Sequence, residues 1–282
     1  MITLRTNGRE AVPGWLKSWF RIARRLRRFF AVEVALQDGG HGLRFACENW
    51  IDAFRPMSLW QKEPATMAWI ESEMKPGMRF LDIGANIGIY TLAAAARGGE
   101  QGRVFAFEPH KANAMTLMRN VALSGLQPRV KVFAVGLAEK SGFGPFHYAS
   151  LDSASTGSQF GHARTADGGV FAPAACEELA AFSIDDLVES GAIEPFDLVK
   201  MDVDGNEPAI LAGMRRTLSG PKGPRTLQIE INPGQRAMID AFLAECGYDF
   251  AERADTRNGQ RAIEQGAGTE SIGYNALYRR RA

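Results

Sequence analysis

Short apolar runs alternate with stretches of helical spacing through the middle of the chain. Arg79 to Ile83 reads as a strand, Gly88 to Arg97 as a helix with the small-residue run Ala93 to Ala96, and Val104 to Phe107 as a second strand. Lys111 to Ser124 is a second helix closed by Gly125, and Val130 to Val135 a third strand. Further along, Phe196 to Met201 is an apolar strand, Glu207 to Leu218 a helix, Thr226 to Ile231 a strand and Gln235 to Cys246 a helix. Tyr248 to Ala251 and Ser271 to Tyr278 read as a terminal strand pair, with a polar loop between them at Asp255 to Gly268. Ahead of all this, Gln61 to Met74 is helical until Pro76-Gly77 stops it, and residues 31–54 have room for short strands. Alternating strands and helices predict an α/β fold with a doubly wound, mostly parallel sheet. Such sheets bind ligands outside the carboxyl ends of their strands, where the strand order reverses.

Two regions break the alternation. From Gly136 to Pro195 no long helix is expected before Phe182 to Leu187, and residues 149–176 are rich in Ser, Ala and Gly. A long connection of this kind in a compact domain reads as a mobile lid over a substrate, or as disorder. The second region is Trp15 to Phe30. Trp15, Trp19, Ile22, Leu26 and Phe29 recur at helical spacing, while Lys17, Arg21, Arg24, Arg25, Arg27 and Arg28 fall largely on the other side. This basic amphipathic helix can dock on the catalytic domain, on a second subunit, or on an anionic membrane surface. The expected organisation is therefore an N-terminal arm over residues 1–54 and a catalytic domain over 55–282, with 136–195 as the substrate loop.

Composition narrows the picture. A chain of 282 residues, 45% hydrophobic, can bury one sizeable core. The net charge of +1 gives no general footprint for nucleic acid, and the basic helix leaves the rest of the chain net acidic. Cys47, Cys176 and Cys246 are far apart and form no metal or disulfide spacing. No apolar run is long enough for a membrane span and no signal core precedes a cleavage site, so a cytoplasmic location is expected.

Chemistry concentrates at the predicted strand ends. The stretch Asp82-Ile83-Gly84-Ala85-Asn86-Ile87-Gly88 is a strand, a small-residue turn and a helix start, and Glu108 ends the next strand twenty residues past Gly88. A βαβ unit with an acid at the tip of its second strand holds a nucleoside, the acid accepting from ribose hydroxyls. The spacing does not match G-x-G-x-x-G, and Asp82 would repel a pyrophosphate. An ammonium- and sulfonium-bearing ligand suits it better, which favours S-adenosylmethionine over NAD. An NAD-dependent oxidoreductase and a non-catalytic S-adenosylmethionine-binding module remain the alternatives. The candidate cofactor residues are Asp82, Gly84, Ala85, Asn86, Gly88, Tyr90, Thr91, Glu108, Pro109 and His110, with Val135-Gly136 beside the adenine. Candidate catalytic residues are Asp202, Asp204 and Glu207, with Asp202 leading as the base and Lys200 balancing charge. Asp204 and Glu207 could equally hold the Gly205 turn and cap the next helix. Asp202, Glu230 and Asn232 could instead gather Mg²⁺ to acidify an acceptor hydroxyl.

Three motifs in order, Asp82 to Thr91, Phe105 to His110 and Leu198 to Glu207, resemble the FkbM family of S-adenosylmethionine-dependent methyltransferases over roughly residues 55–280. The third motif departs from the family pattern, with Asp204 where Glu is more frequent. The resemblance implies a seven-stranded Rossmann-like sheet whose last strand runs antiparallel. It also implies methyl transfer to oxygen of a small molecule or glycan-like acceptor, and leaves open a homo-oligomer.

Overall fold

The computed structural model describes residues 32–38, 40–165 and 169–281, together with Ser18 and Ile22. The basic segment Trp15 to Phe30 otherwise lies outside the described residues. Thirteen strands are present among the described residues: β1 Val32–Asp38, β2 His41–Cys47, β3 Arg79–Ile83, β4 Arg103–Phe107, β5 Val130–Phe133, β6 Gly136–Leu137, β7 Gly142–Tyr148, β8 Gln159–Phe160, β9 Ala175–Phe182, β10 Leu198–Met201, β11 Thr226–Ile231, β12 Tyr248–Ala254 and β13 Tyr274–Arg280. Seven build the main sheet in the order β12-β13-β11-β10-β3-β4-β5. All its pairings are parallel except the two that β13 makes. This is the doubly wound Rossmann-like sheet with an antiparallel last strand, and strand order reverses between β3 and β10.

Side chains alternate across the sheet and fill both faces, as a covered parallel sheet requires. Phe80, Val104, Ala106 and Leu198 join the core under the helix Ile89–Arg97, whereas Leu81, Ile83, Phe105, Phe107, Val199 and Met201 join the opposite core. The register aligns the strand ends. Ile83 pairs with Phe107 on one side and Met201 on the other, and Met201 pairs with Ile229. The next residues, Gly84, Glu108, Asp202 and Glu230, therefore emerge side by side at one rim.

The β1–β2 hairpin buries Leu43 and Phe45 in the first core. Asn120 of the helix Lys111–Leu123 ties it down, accepting from the Ala46 N–H at 2.8 Å and donating to Ile87 O at 2.8 Å. The helix Trp50–Met57 follows, so residues 54 and 55 lie within one element.

Several expected elements are corrected. The helix expected over Gln61 to Met74 is two, Leu59–Lys62 and Pro64–Glu73, divided where Pro64 starts afresh at a position that needs no N–H. The helix expected over Glu207 to Leu218 likewise divides into Glu207–Ala212 and Arg215–Ser219. Residues 136–195 are more regular than a loop: β6, β9, β7 and β8 form a second, four-stranded sheet. The polar loop after β12 contains the helix Arg257–Glu264, which Thr256 caps through its hydroxyl to the Gly259 N–H at 3.1 Å.

Candidate functional site

The loop after β3 is shaped by three left-handed residues, Gly84 (φ +79°), Asn86 (φ +50°) and Gly88 (φ +88°). At Gly84 the requirement is double: a Cβ there would lie 1.9 Å from the Asp202 carbonyl oxygen. Glycine thus lets the β3 loop lie against the end of β10. The Gly84 and Ala85 N–H groups both donate to Phe107 O at 3.0 Å, which fixes the loop to β4 as well. Asn86 tolerates its conformation as asparagine commonly does, accepting from the Ile87 N–H and donating through Nδ2 to Ser155 O at 2.8 Å.

Glu108, one residue past β4, is buried and braced. Its Oε2 accepts from the Asn86 N–H at 2.7 Å and its Oε1 from the His110 N–H at 2.8 Å. Burial outweighs these bonds and pushes its carboxyl up to about 7. The His110 ring donates Nε2–H to Ser150 O at 2.8 Å and caps the following helix by accepting from the Asn113 N–H at Nδ1. Burial lowers the ring's pKa, which keeps this neutral tautomer.

Asp82 stands one position short of the strand end, paired in register with Lys200 of β10. Both are buried on the face under the helix Ile89–Arg97. Thr91 donates to Asp82, and the Lys200 ammonium lies 4.9 Å from the Tyr90 ring centroid. Burial raises the Asp82 carboxyl against the pull of Lys200. Burial also opposes the charge on Lys200, but Asp202, Asp82 and Glu63 outweigh it and hold the ammonium above its ordinary pKa.

Asp202 accepts from Lys200 Nζ at 3.1 Å. Burial works against its charge, yet Lys200 and then Lys62 hold it below the usual carboxylate range. Glu230 faces Asp202 and responds in the opposite sense: the Asp202 charge, then burial, raise it far above the carboxylate range. Among the described residues no hydrogen-bond partner reaches its buried Oε2. The two carboxyls therefore share one proton at neutral pH. Asp204 (φ +56°) accepts from the Gly157 N–H at 2.8 Å, and burial followed by Asp202 raises its carboxyl. Glu207 is fully buried, and its Oε1 accepts from the Val203 and Gly205 N–H groups at 3.1 and 3.2 Å. Burial pushes it up to about 7.

A cavity of about 320 Å³ opens along this rim. Of the residues expected from the sequence, Gly84, Asn86, Glu108, Pro109, His110, Val135, Gly136, Asp202 and Asp204 line it. Asp82, Ala85, Gly88, Tyr90, Thr91 and Glu207 do not; they form the buried layer beneath. Asp202, Asp204 and Glu230 each bring an oxygen within 4.8 Å of the others. Asn232 does not join them: its amide donates to Glu207 Oε2 at 3.4 Å. The cavity also takes in residues that sequence reasoning passed over, chiefly Arg55, Lys62, Asn113 and the segment Ser155 to Ser158. Ser155 O accepts from both Asn86 and Asn113, and Arg55 donates to Ala154 O, so this segment is strapped across the opening. Its only sequence signal is Ser-Thr-Gly-Ser turn chemistry inside the expected substrate loop.

The family description "Methyltransferase FkbM domain" matches residues 82–250. This chain belongs to that family. It is similar to the hexuronic acid methyltransferase AglP of Haloferax volcanii, 26% identical over 180 residues that cover 64% of this chain and 67% of the relative. Among solved structures, it is similar to the FkbM methyltransferase of Methylobacillus flagellatus, 17% identical with a TM-score of 0.45, covering 76% of this chain and 50% of that one. It spans about half the length of that protein. A Thermotoga maritima S-adenosylmethionine-dependent O-methyltransferase is 13% identical with a TM-score of 0.43, covering 88% of this chain and 78% of the other. Residues 82–250 thus form a methyltransferase domain, and the methyl donor its sequence pointed to is S-adenosylmethionine. The cavity's lining fits that molecule: carboxylates and amides suit a cationic ligand with a ribose diol.

Proposed function

We propose that this methyltransferase acts on a hydroxyl of a sugar-like acceptor, with hexuronic acids the first class to try. The observation that carries this reading is the carboxyl cluster of Asp202, Asp204 and Glu230 at one end of the cavity, opposite Glu108 and His110. Clustered carboxyl groups satisfy several hydroxyls at once, as a polyhydroxylated ring needs. Arg55 and Lys62 line the same cavity and supply cations for an acidic sugar. The matched relative is itself a hexuronic acid methyltransferase.

On this reading Glu108 accepts from the ribose hydroxyls, Asn86, Pro109 and His110 shape the nucleoside pocket, and Gly84 and Gly88 let the loop take its path. Asp82, Ala85, Tyr90 and Thr91 support that loop from below. S-adenosylmethionine supplies a methyl group on a sulfonium, already a good leaving group, so positioning carries much of the acceleration. Asp202, held ionised by Lys200, accepts a hydrogen bond from the acceptor hydroxyl and orients it. Its depressed pKa makes it a weak proton acceptor. Asp204, raised by burial and by Asp202, is better matched to take the proton. Glu207 holds the turn that presents both.

The test is incubation with methyl-labelled S-adenosylmethionine and a panel of hexuronic acids, neutral hexoses and their glycosides, read by mass spectrometry. A gain of one methyl that survives mild alkali identifies an ether on a hydroxyl; an alkali-labile product identifies a carboxyl ester and overturns the hydroxyl assignment. Asp204→Asn should bind S-adenosylmethionine normally and turn over about 10²-fold more slowly. Equal turnover would remove Asp204 as the base, and product formation by the wild type at all excludes a merely binding role.

A further inference from the structure

The helix Trp50–Met57 presents an apolar face that nothing among the described residues covers. Trp50 is 73% exposed and Met57 61% exposed, with Ile51 and Phe54 about half exposed. The Trp50 and Phe54 rings lie tilted to each other, 6.2 Å between centroids. Large apolar side chains grouped on one exposed helix are not ordinary surface scatter. The opposite side of this helix serves the fold: Asp52 and Ala53 are buried, and Arg55 reaches the substrate segment.

We propose that this face docks on an anionic lipid surface. The inference goes beyond the methyl-transfer reading and does not depend on it. Two features select lipid over other occupants. First, the patch is rich in Trp, Phe, Ile and Met, and tryptophan in particular prefers the interface between headgroups and acyl chains. Second, the chain enters the fold beside it. Val32, itself exposed, pairs with Cys47, three residues before Trp50, and directly ahead of Val32 the sequence carries six cations and no acid between Trp15 and Phe30. Such a segment is drawn to anionic headgroups. A two-fold contact through the same patch would bring two copies of that segment to one interface, where they repel. Nucleic acid would use the cations but leave the apolar face in water. No helix among the described residues is long and apolar enough to cross a membrane, so the contact proposed is peripheral.

The experiment is co-sedimentation of the full chain with vesicles of phosphatidylcholine alone and of phosphatidylcholine with phosphatidylserine, at low and at physiological salt. Binding should need phosphatidylserine and weaken with salt. Trp50→Ser/Phe54→Ser should bind several-fold less while keeping wild-type S-adenosylmethionine affinity and melting temperature, since neither residue lines the cavity. Arg24→Gln/Arg25→Gln should weaken partitioning roughly fivefold per arginine. No pelleting with anionic vesicles at low salt overturns the proposal. So does a Trp50→Ser/Phe54→Ser variant that pellets like the wild type, because the patch would then be covered by residues 15–30 or be idle. Concentration-dependent dimers lost in that variant without lipid binding would assign the face to a second copy. Tight binding to RNA that ignores the patch would assign the cations to nucleic acid; either result overturns the lipid assignment.

Discussion

Replacing Glu230 with glutamine should stabilise the protein at neutral pH, by an amount that proton linkage fixes. The Asp202 charge and burial raise the Glu230 carboxyl far above its ordinary value of 4.5, while Lys200 keeps Asp202 charged. At pH 7 the folded protein holds a proton on Glu230 that the unfolded chain releases. Protonating an ordinary glutamate at pH 7 costs about 1.4 kcal/mol for each of roughly 2.5 pH units, or about 3 kcal/mol. Glutamine carries no such cost, and its Nε2–H can donate to Asp202 as the protonated carboxyl does. The folded state binds the extra proton, so this carboxyl lowers stability progressively as pH rises above 4.5, up to its raised folded pKa.

The difference between Glu230→Gln and wild type should therefore be near zero at pH 4.5 and open by about 1.4 kcal/mol per pH unit above it. Urea denaturation at intervals between pH 5 and 8 measures that difference. Glu108 and Glu207 titrate in the same interval, but their contribution is common to both proteins to first order and cancels. A variant less stable than wild type by a constant amount at every pH would refute a neutral Glu230, and with it the shared proton at the acceptor end of the cavity.

The cofactor end should respond to pH in its own way. Hydroxyl donors favour the ionised carboxylate, and Glu108 ionises only above about 7, so S-adenosylmethionine affinity should rise about tenfold between pH 6 and 8 in calorimetric titrations. A flat profile that Glu108→Gln leaves unchanged would remove Glu108 as the ribose acceptor. Gly84→Ala combines φ +79° with a Cβ placed 1.9 Å from the Asp202 carbonyl, so it should cost about 3 kcal/mol in urea denaturation and weaken S-adenosylmethionine binding. Wild-type stability in that variant would mean that the β3 loop does not need its close approach to β10.

What could be read from the sequence follows from what the backbone dictates. The β3 loop was legible because its left-handed turns need Gly or Asn, and those residue types mark the turns in the chain. The acids at strand ends were legible because strand length and parallel register set Glu108, Asp202 and Glu230 in a row. The second sheet was hidden for the same kind of reason. Gly142, Gly144 and Pro145 break the apolar alternation of β7, and Ala and Glu give β9 little strand preference, so only cross-strand pairing declares them. The helix after β12 was masked by Gly259, whose N–H Thr256 caps. Charge balance was legible only where it is local: Lys200 could be set against Asp202, two residues on, but not against its partner across the sheet. Asp82 and Lys200 are 118 positions apart in sequence, and only the β3–β10 register makes them neighbours. Two residues before Asp202 in the chain, the same Lys200 puts its ammonium under Asp202 and holds it below the usual carboxylate range, which leaves Glu230 to carry the proton. Sequence reading named Asp202 first as the base because it ends a strand beside the expected methyl group. The buried lysine one layer below lowers the Asp202 pKa, and that is why the proposed function gives the proton to Asp204 instead.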